Sequence, residues 1–310
     1  MGKRSTKKKE TSKTEKVIII VLLCLLLICG IVIAFTFNSR KQKEVDDIPL
    51  NLVGTYDTED RLYFQKNNRK VVLINGINGN DIQYLFLVVV DEEKQTMQPI
   101  HFSRNTLCEY NELDEFGKIV GKKTGLIRDS FKGPSDSLVG LVNVKDVVNK
   151  LFCNIRIDYY MSVDMTAIED ITSIFNGIDV RLYDDYTDIN PNYVKDSEVT
   201  IWPKDAVAFV IGDEDKEGAE RIEGRINRYV SGFFELNRKK YEYDEGFFAR
   251  KFAEMTKYCL FNSNDLITYA EQTIEYKHLP LIDIKGSQTD EGYVLDVEDI
   301  EKVCLESIYK

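Results

Sequence analysis

Histidine is the scarcest ionisable residue of this chain. Among 310 residues there are two, His101 and His278, and they are far apart in the sequence. A Ser/His/Asp triad or a histidine-based metal site requires a recognisable pattern around such residues, and none is present. Both histidines are therefore predicted to be hydrogen-bonded or surface side chains, and neither class of site is indicated.

The cysteines lack the spacing of a zinc site. Two of the six, Cys24 and Cys29, lie in an apolar run near the N-terminus. The other four lie beyond it, at Cys108, Cys153, Cys259 and Cys304. No CxxC pair occurs among them, which argues against zinc. Four cysteines can pair in three ways, between which the sequence does not choose, and free, buried thiols are the favoured prediction.

After residue 43 acidic residues strongly outnumber basic ones. The first 43 residues carry ten basic and two acidic side chains, a net charge of +8, whereas the whole chain has −11. Residues 44–310 therefore carry −19. A domain so acidic lacks the basic face that nucleic acid requires, so no nucleic-acid partner is expected. A small basic pocket within it is still compatible with this charge.

One long uncharged run, VIIIVLLCLLLICGIVIAFTF at 17–37, predicts a transmembrane helix. About 20 apolar residues span the hydrocarbon core of a bilayer, and no signal-peptide cleavage motif follows the run. Seven Lys or Arg precede it and three follow within residues 38–43, so the basic end is predicted to be cytoplasmic. The expected organisation is a cytoplasmic tail (1–16), a membrane helix (17–37), a tether (38–51) and an extracellular domain (52–310). A cell-membrane location follows, with membrane lipid as one partner.

The extracellular domain has the pattern of an α/β fold. The runs VVLING, LFLVVVD and MQPIHFS predict buried strands, and their near-continuous β-branched content favours a sheet covered on both faces. A helix capped by Ser135 or Asp136, a strand IDYYMSV, a helix capped by Asp164 and a strand IDVRLY follow in order. We expect a three-layer sandwich with a mixed central sheet flanked by helices.

The remaining segments of the domain are predicted to be mostly helical, with a hairpin or edge element near each end. WPKDAVAFV is predicted to be a strand or a short helix–strand passage, and residues 218–240 a long amphipathic helix. Three further helices are expected around FFARKFAEMTKYC, SNDLITYAEQTI and DVEDIEKVCLESIY. YDTEDRLYFQKNNRK is predicted to be a small hairpin or edge element, and LPLIDIKGSQTDEGYVL an edge hairpin.

Three arginines are the best candidates for a binding site. Arg104, in HFSRNT, stands where a buried strand ends, at the sheet edge where open α/β folds bind ligands. Arg225 and Arg228 are spaced i, i+3 on the long helix and so share a face. Guanidinium groups pair with phosphate oxygens two at a time, so convergence of the three predicts a pyrophosphate site. Ordinary ion pairs with the many carboxylates are the alternative.

The order of these motifs resembles the LytR–CpsA–Psr family of Gram-positive cell-envelope proteins. The resemblance covers 71–310 and rests on VVLINGIN, LFLVVVDEEKQTMQPIHFSRNT, CNIRIDYYMSVDMTAIEDITSIFNGIDVRLY, DAVAFV and GRINRY. It implies transfer of a glycopolymer (teichoic acid or capsule) from a polyprenyl-pyrophosphate carrier to peptidoglycan. It also implies arginines on the pyrophosphate, aspartate-bound Mg²⁺ and an apolar tunnel for the lipid.

Several positions depart from the family's pattern. Asn105 replaces the aspartate after the strand arginine, and Asn78 and Gln83 stand where metal-binding aspartates are expected. An expected arginine pair falls on Ile211 and Asp213, and Tyr229 replaces a glutamine. Amides carry no charge to hold Mg²⁺. The resemblance therefore implies Arg104, Arg225, Arg228 and Asn105 as pyrophosphate-binding residues, with Asp81 and Asp213 as weak metal candidates.

The favoured functional prediction is a pseudoenzyme. It would bind a lipid-linked glycopolymer, or peptidoglycan, without efficient turnover, or regulate an active paralogue. One alternative is an active, divergent phosphotransferase with a shifted ligand set; another is a structural or regulatory envelope protein with no ligand. The sequence does not identify the polymer, the oligomeric state or whether a lipid tunnel persists.

Overall fold

The computed structural model describes residues 54–56, 62–211, 218–244 and 246–310. Within those residues no helix combines the length and the apolar character needed to cross a bilayer. The predicted tail (1–16), membrane helix (17–37) and tether (38–51) lie outside the described residues. The described residues belong to one compact unit.

The described residues form fifteen strands and seven α-helices. The strands are β1 (Gly54–Tyr56), β2 (Leu62–Phe64), β3 (Arg69–Asn78), β4 (Asp81–Asp91), β5 (Thr96–His101), β6 (Leu107–Leu113), β7 (Ile119–Leu126), β8 (Tyr159–Asp164), β9 (Ile178–Arg181), β10 (Glu198–Ile201), β11 (Cys259–Phe261), β12 (Lys277–His278), β13 (Ile282–Asp283), β14 (Gly286–Gln288) and β15 (Tyr293–Leu295). The helices are α1 (Ser137–Leu151), α2 (Ile168–Ile174), α3 (Pro203–Val210), α4 (Ala219–Tyr241), α5 (Phe247–Met255), α6 (Asp265–Gln272) and α7 (Val297–Val303).

The central sheet is mixed, as predicted. Its order is β11-β8-β3-β4-β5, with β12 and β13 both pairing with the outer edge of β5. β4 runs antiparallel to both of its neighbours, β3 and β5, whereas β8 is parallel to β3, and β12 and β13 are parallel to β5. β12 therefore lies beside the start of β5, and β13 lies beside its end at His101.

Helices cover both faces of this sheet. Val71, Leu73 and Leu87 belong to one apolar core, which includes residues of α1 and α7. Val72 and Phe86, their alternating neighbours, belong to a second core with residues of α2 to α6. Because successive strand residues point to opposite faces, the continuous apolar runs of β3 and β4 supply both cores. The predicted three-layer arrangement is confirmed.

Several predicted helix ends are confirmed. The Asp136 carboxylate accepts a hydrogen bond from the backbone N–H of Leu138 at 2.9 Å and caps α1. Asp164 caps a short 3₁₀ turn, Met165–Ala167, that leads into α2. Gly177 follows α2 with φ +92°, and a Cβ there would meet the Thr200 side chain at 2.6 Å. Both the left-handed backbone and the close approach favour glycine at this position.

One predicted element is wrong, and one observed hairpin had no prediction. WPKDAVAFV contains helix α3, not a strand, because Pro203 occupies the first helical turn and its fixed φ suits that position. The β6–β7 hairpin was not predicted at all. By contrast, the hairpins β1–β2 and β14–β15 and the helices α4 to α7 agree with the sequence-based expectations. A π-helical turn, Cys304–Tyr309, extends the last helix to near the C-terminus.

Candidate functional site

An apolar cavity of about 170 Å³ lies between one face of the sheet and the helices that cover it. Its lining comes from strands β3, β4, β5, β8 and β12 and from helices α2 to α6, and includes Val72, Phe86, Met161, Ile226, Val230 and Leu266. A cavity with such a wall is suited to hydrocarbon, because water entering it would find few hydrogen-bond partners. Whether an apolar space persists could not be predicted, since a filled core and a cavity have the same composition.

Gly76 and Met165 shape one wall of this cavity. A Cβ on Gly76 would meet the Met165 sulfur at 2.6 Å, so the methionine packs directly against the strand backbone. Both residues line the cavity. A side chain at Gly76 would push Met165 away from the strand, and this contact therefore requires glycine.

The end of β5 forms a polar corner beside the cavity. The His101 ring is buried and stacks on Tyr84, which lines the cavity, with 5.1 Å between ring centroids. His101 Nδ1 lies 2.6 Å from Asp283 Oδ1, and Nε2 lies 3.8 Å from Glu223 Oε2. The Tyr84 hydroxyl donates to Asn227 Oδ1. Burial raises the pKa of Tyr84, with further contributions from Asp283 and Glu223, so its phenol is neutral at physiological pH.

Arg104 is buried at this corner. Its Nη1 donates to Gln83 Oε1 at 2.9 Å and to the Ile82 carbonyl at 3.2 Å, and lies 3.6 Å from Asp81 Oδ2. Its backbone N–H donates to Glu223 Oε1 at 3.3 Å. Helix α4 is therefore joined to the end of β5 through the Glu223 carboxylate.

Ser103 makes the same connection. Its hydroxyl donates to Glu223 Oε1 at 3.0 Å and accepts a bond from the backbone N–H of Asn105 at 3.2 Å. The Asn105 carbonyl accepts from the backbone N–H of Tyr293 at 2.8 Å, which connects the corner to β15. Thus Ser103 and Arg104 direct two donors at a carboxylate that the sequence analysis did not single out.

The arginines of α4 lie on another face of that helix. Arg225 is fully buried, its Nε donates to the Phe209 carbonyl at 2.7 Å, and its Cζ lies 5.6 Å from the centroid of the Tyr186 ring. Arg228 Cζ lies 3.9 Å from the centroid of the Tyr183 ring. Burial and the Asp184 carboxylate raise the pKa of Tyr186, and the nearby arginine charges oppose this shift.

Arg221 is a neighbour that the sequence analysis missed. Its Cζ lies 5.1 Å from the Tyr186 ring centroid, and its Nη2 donates to Asp188 Oδ1 at 3.3 Å. The spacing of Arg221, Arg225 and Arg228 is i, i+4, i+7, the repeat of one helix face. That spacing was visible in the sequence.

These contacts bring some of the candidates together. The positive charges of Arg225 and Arg228 both lower the pKa of Tyr186, so the two guanidinium groups lie near the same ring. Arg104 lies beside Glu223 instead, and helical geometry places position 223 on a different face of α4 from positions 225 and 228. Convergence of all three arginines on one ligand stays a prediction. Asn105 lies next to Arg104 in the polar corner, as expected from the sequence.

Asp81 was a weak metal candidate. Its carboxylate accepts from Gln83 Nε2 at 2.9 Å, and its oxygens lie 3.6 Å from Arg104 Nη1 and 3.9 Å from Lys132 Nζ. A lone carboxylate that already faces two cations does not fit a Mg²⁺ site, which needs several oxygen ligands without competing positive charge. In the described parts of the chain no group of three His, Cys, Asp or Glu side chains is arranged to hold a metal. The second candidate, Asp213, lies outside the described residues.

Comparison with known proteins identifies similar transferases. No family model matches the chain. The chain is 27% identical over 141 residues to the polyisoprenyl-teichoic acid–peptidoglycan teichoic acid transferase TagV of Bacillus subtilis, covering 43% of this chain and 33% of TagV. It is 24% identical over 163 residues to the corresponding TagU of Bacillus cereus, covering 50% of this chain and 49% of TagU. The matched segments thus span a third to a half of these relatives.

The fold agrees over a longer stretch. The crystal structure of Bacillus subtilis TagU aligns with 79% of this chain and 98% of its own, with a TM-score of 0.58 and 19% sequence identity. At that identity the alignment establishes the fold.

Proposed function

Because the chain belongs to the LytR–CpsA–Psr family, we propose that it acts in cell-envelope assembly by binding a polyprenyl-pyrophosphate-linked glycopolymer without efficient turnover. The observation that carries this proposal is the apolar cavity beside the arginine-bearing helix. Its occupant is the hydrocarbon tail of the carrier. The N-terminal run 17–37 anchors the protein in the membrane, with the described domain outside the cell.

In this proposal helix α4 contacts both the lipid tail and the pyrophosphate head of the ligand. Ile226, Tyr229 and Val230 line the cavity, while Arg225 and Arg228 project toward Tyr186 and Tyr183. One helix therefore presents an apolar stripe to a lipid tail and the half-buried Arg228 guanidinium to a charged head, whereas Arg225 is fully buried. Guanidinium is well suited to pyrophosphate because its planar donors pair with phosphate oxygens.

Glu223 supports the absence of efficient turnover. Catalysis of phosphoryl transfer depends on donors and cations directed at the developing phosphate charge. At the end of β5, the Ser103 hydroxyl and the Arg104 backbone N–H are directed at the Glu223 carboxylate. An anion reaching this corner would meet that negative charge, and Arg104 itself is engaged with Gln83.

Substitution of Arg228 tests whether the pyrophosphate group of the ligand is recognised separately from its hydrocarbon tail. We expect Arg228→Ala in the full-length chain to weaken binding of farnesyl pyrophosphate about 10- to 100-fold, because a hydrogen bond to a charged group contributes about 1.5–3 kcal/mol. Binding of farnesol, which has the tail without the charge, should not change. Calorimetry on protein in detergent micelles, with empty micelles as reference, measures both.

Arg238→Ala is the matched control, since Arg238 lies on the same helix and pairs with Glu235 and Glu242. It should leave both affinities at the wild-type value. An equal loss of both ligands in Arg228→Ala, or no loss of either, would contradict a pyrophosphate role for Arg228.

A turnover assay decides between binding and transfer. Full-length protein is incubated with a lipid-linked oligosaccharide and Mg²⁺, and release of polyprenyl phosphate is measured beside binding of the same lipid. We expect binding without release. Release that disappears in Arg104→Ala would establish the active phosphotransferase instead, and absence of binding would favour the ligand-free structural or regulatory protein.

A further inference from the structure

Two cysteines meet on the sheet face opposite the cavity. Cys153 follows the end of α1, where Cys153 and Asn154 adopt consecutive left-handed conformations, φ +56° and +57°. Cys304 begins the C-terminal π-helical turn and is fully buried. Cys153 packs against the apolar core that contains Cys304, the two thiols are close enough to interact, and the Tyr309 hydroxyl donates to the Cys153 carbonyl at 3.0 Å. The C-terminal turn is therefore packed directly on the end of α1.

The two thiols differ in reactivity. The hydrogen bond from Cys304 lowers the pKa of Cys153, although burial opposes the shift. The same hydrogen bond and burial raise the pKa of Cys304. Burial raises the pKa of Cys108 and of Cys259 to about 12. Because the thiolate is the nucleophile, half-buried Cys153 is the one of these four that is disposed to attack an oxidant.

We propose that Cys153 and Cys304 form a disulfide that links the C-terminal turn to the end of α1. The oxidant is a disulfide, either of a thiol oxidoreductase or of a small molecule such as oxidised glutathione. Cys153 thiolate attacks one of its sulfurs and releases a thiol. Cys304 then loses its proton and attacks the mixed disulfide at Cys153, which releases the second thiol. The protein loses two hydrogen atoms, and the oxidant gains two electrons and two protons.

Formation of this bond in the cell rests on the proposed extracellular location, because disulfides persist outside the reducing cytoplasm. Its structural effect does not depend on that location. The bond closes a loop that contains β8 to β15, so it restricts the unfolded chain strongly. Since it lies on the face opposite the cavity, ligand affinity should be the same with the bond closed or open.

The test uses purified full-length protein in detergent micelles, reduced and then exposed to oxidised glutathione. We expect a mass loss of two hydrogen atoms and a crosslinked proteolytic peptide that contains Cys153 and Cys304. The melting temperature should rise by about 5–15 °C, as expected for a disulfide that closes a long loop in a domain of this size. Cys153→Ser and Cys304→Ser should each abolish the mass loss, the crosslink and the rise in melting temperature. The double variant Cys108→Ala/Cys259→Ala should retain the mass loss and the crosslink.

Three results would overturn the proposal: no mass loss, a stable glutathione adduct on Cys153, or a crosslink between two chains. These results concern the thiols alone and are separate from the farnesyl pyrophosphate measurements, which test the proposed function. If the purified protein forms the bond but protein extracted from cells under thiol-trapping conditions is reduced, the exported location is wrong and the thiol pair stands.

Discussion

Replacing Val230 with tryptophan is expected to weaken farnesyl pyrophosphate binding at least about a hundredfold. Val230 projects from α4 into the cavity, so an indole there would occupy space that a lipid tail requires. Each buried CH₂ contributes about 0.8 kcal/mol, and exclusion of only four carbons would therefore remove about 3 kcal/mol of binding free energy. Calorimetry on the full-length chain measures the loss. Farnesol should lose affinity to a similar extent, unlike in Arg228→Ala.

Val120→Trp provides the matched control. Val120 lies on β7 and is 60% exposed, so the same chemical change there fills no cavity and should leave the affinity unaltered. Val230→Phe should give an intermediate loss, which keeps the test informative if the larger side chain perturbs folding. Circular dichroism establishes that each variant is folded. Wild-type affinity in a folded Val230→Trp protein would show that the lipid does not occupy this cavity.

Asp91→Asn is expected to lower the free energy of unfolding by about 3–5 kcal/mol, the cost of leaving a buried charge unpaired. Its partner Arg69 is only 2% exposed, with Nε and Nη2 at 3.2 and 3.1 Å from Asp91 Oδ2. These residues pair across β3 and β4. Arg69 Nη1 also donates to the Ser307 carbonyl at 3.4 Å, so the pair connects the sheet to the C-terminal turn. Urea unfolding measures the difference.

The same substitution should change the dependence of stability on pH. Burial alone would raise the pKa of Asp91, but the backbone hydrogen bond from Lys94 and the charge of Arg69 lower it below the ordinary value. The stabilisation is therefore fully present above the unfolded-state pKa of about 3.9 and is lost as the pH falls through the lower folded-state value. Wild-type protein should lose stability below about pH 4, and Asp91→Asn should lose less over the same range.

Glu109→Gln is the control for this effect. Glu109 and Lys122 form an exposed ion pair with 2.8 Å between Oε1 and Nζ. Solvent screens such a pair, so neutralising it should leave the free energy of unfolding unchanged. If Asp91→Asn behaves like Glu109→Gln, then the Arg69 charge must be compensated by another group.

Continuous apolar sequence was the most informative feature for the fold. LFLVVVD could satisfy both alternating faces only in a sheet covered on each side, and β4 has that environment. The helix caps could also be predicted, because the Asp136 and Asp164 carboxylates accept hydrogen bonds from backbone N–H groups only two residues further along the chain. The β6–β7 hairpin was missed because IVGKKTGL is exposed and carries no apolar alternation that would mark a buried strand.

The candidate site was harder to predict because its contacts are long-range. The i, i+3 spacing placed Arg225 and Arg228 on one helix face, and the charges of both lower the pKa of Tyr186. By contrast, the partners of Arg104 depend on how α4 docks on β5, which brings Glu223 to the Ser103 hydroxyl. Sequence patterns describe which residues share an element. They do not describe which carboxylate a folded chain brings to a given arginine.

The cavity also has a consequence for the lifetime of the protein. If the space of about 170 Å³ stays unfilled, it costs about 4 kcal/mol of folding stability relative to a filled core, at roughly 24 cal/mol per Å³. A hydrocarbon guest would recover part of this loss and bind only the native state. Unloaded molecules should then open more often and be degraded faster than loaded ones, so the abundance of the protein would follow the supply of its guest.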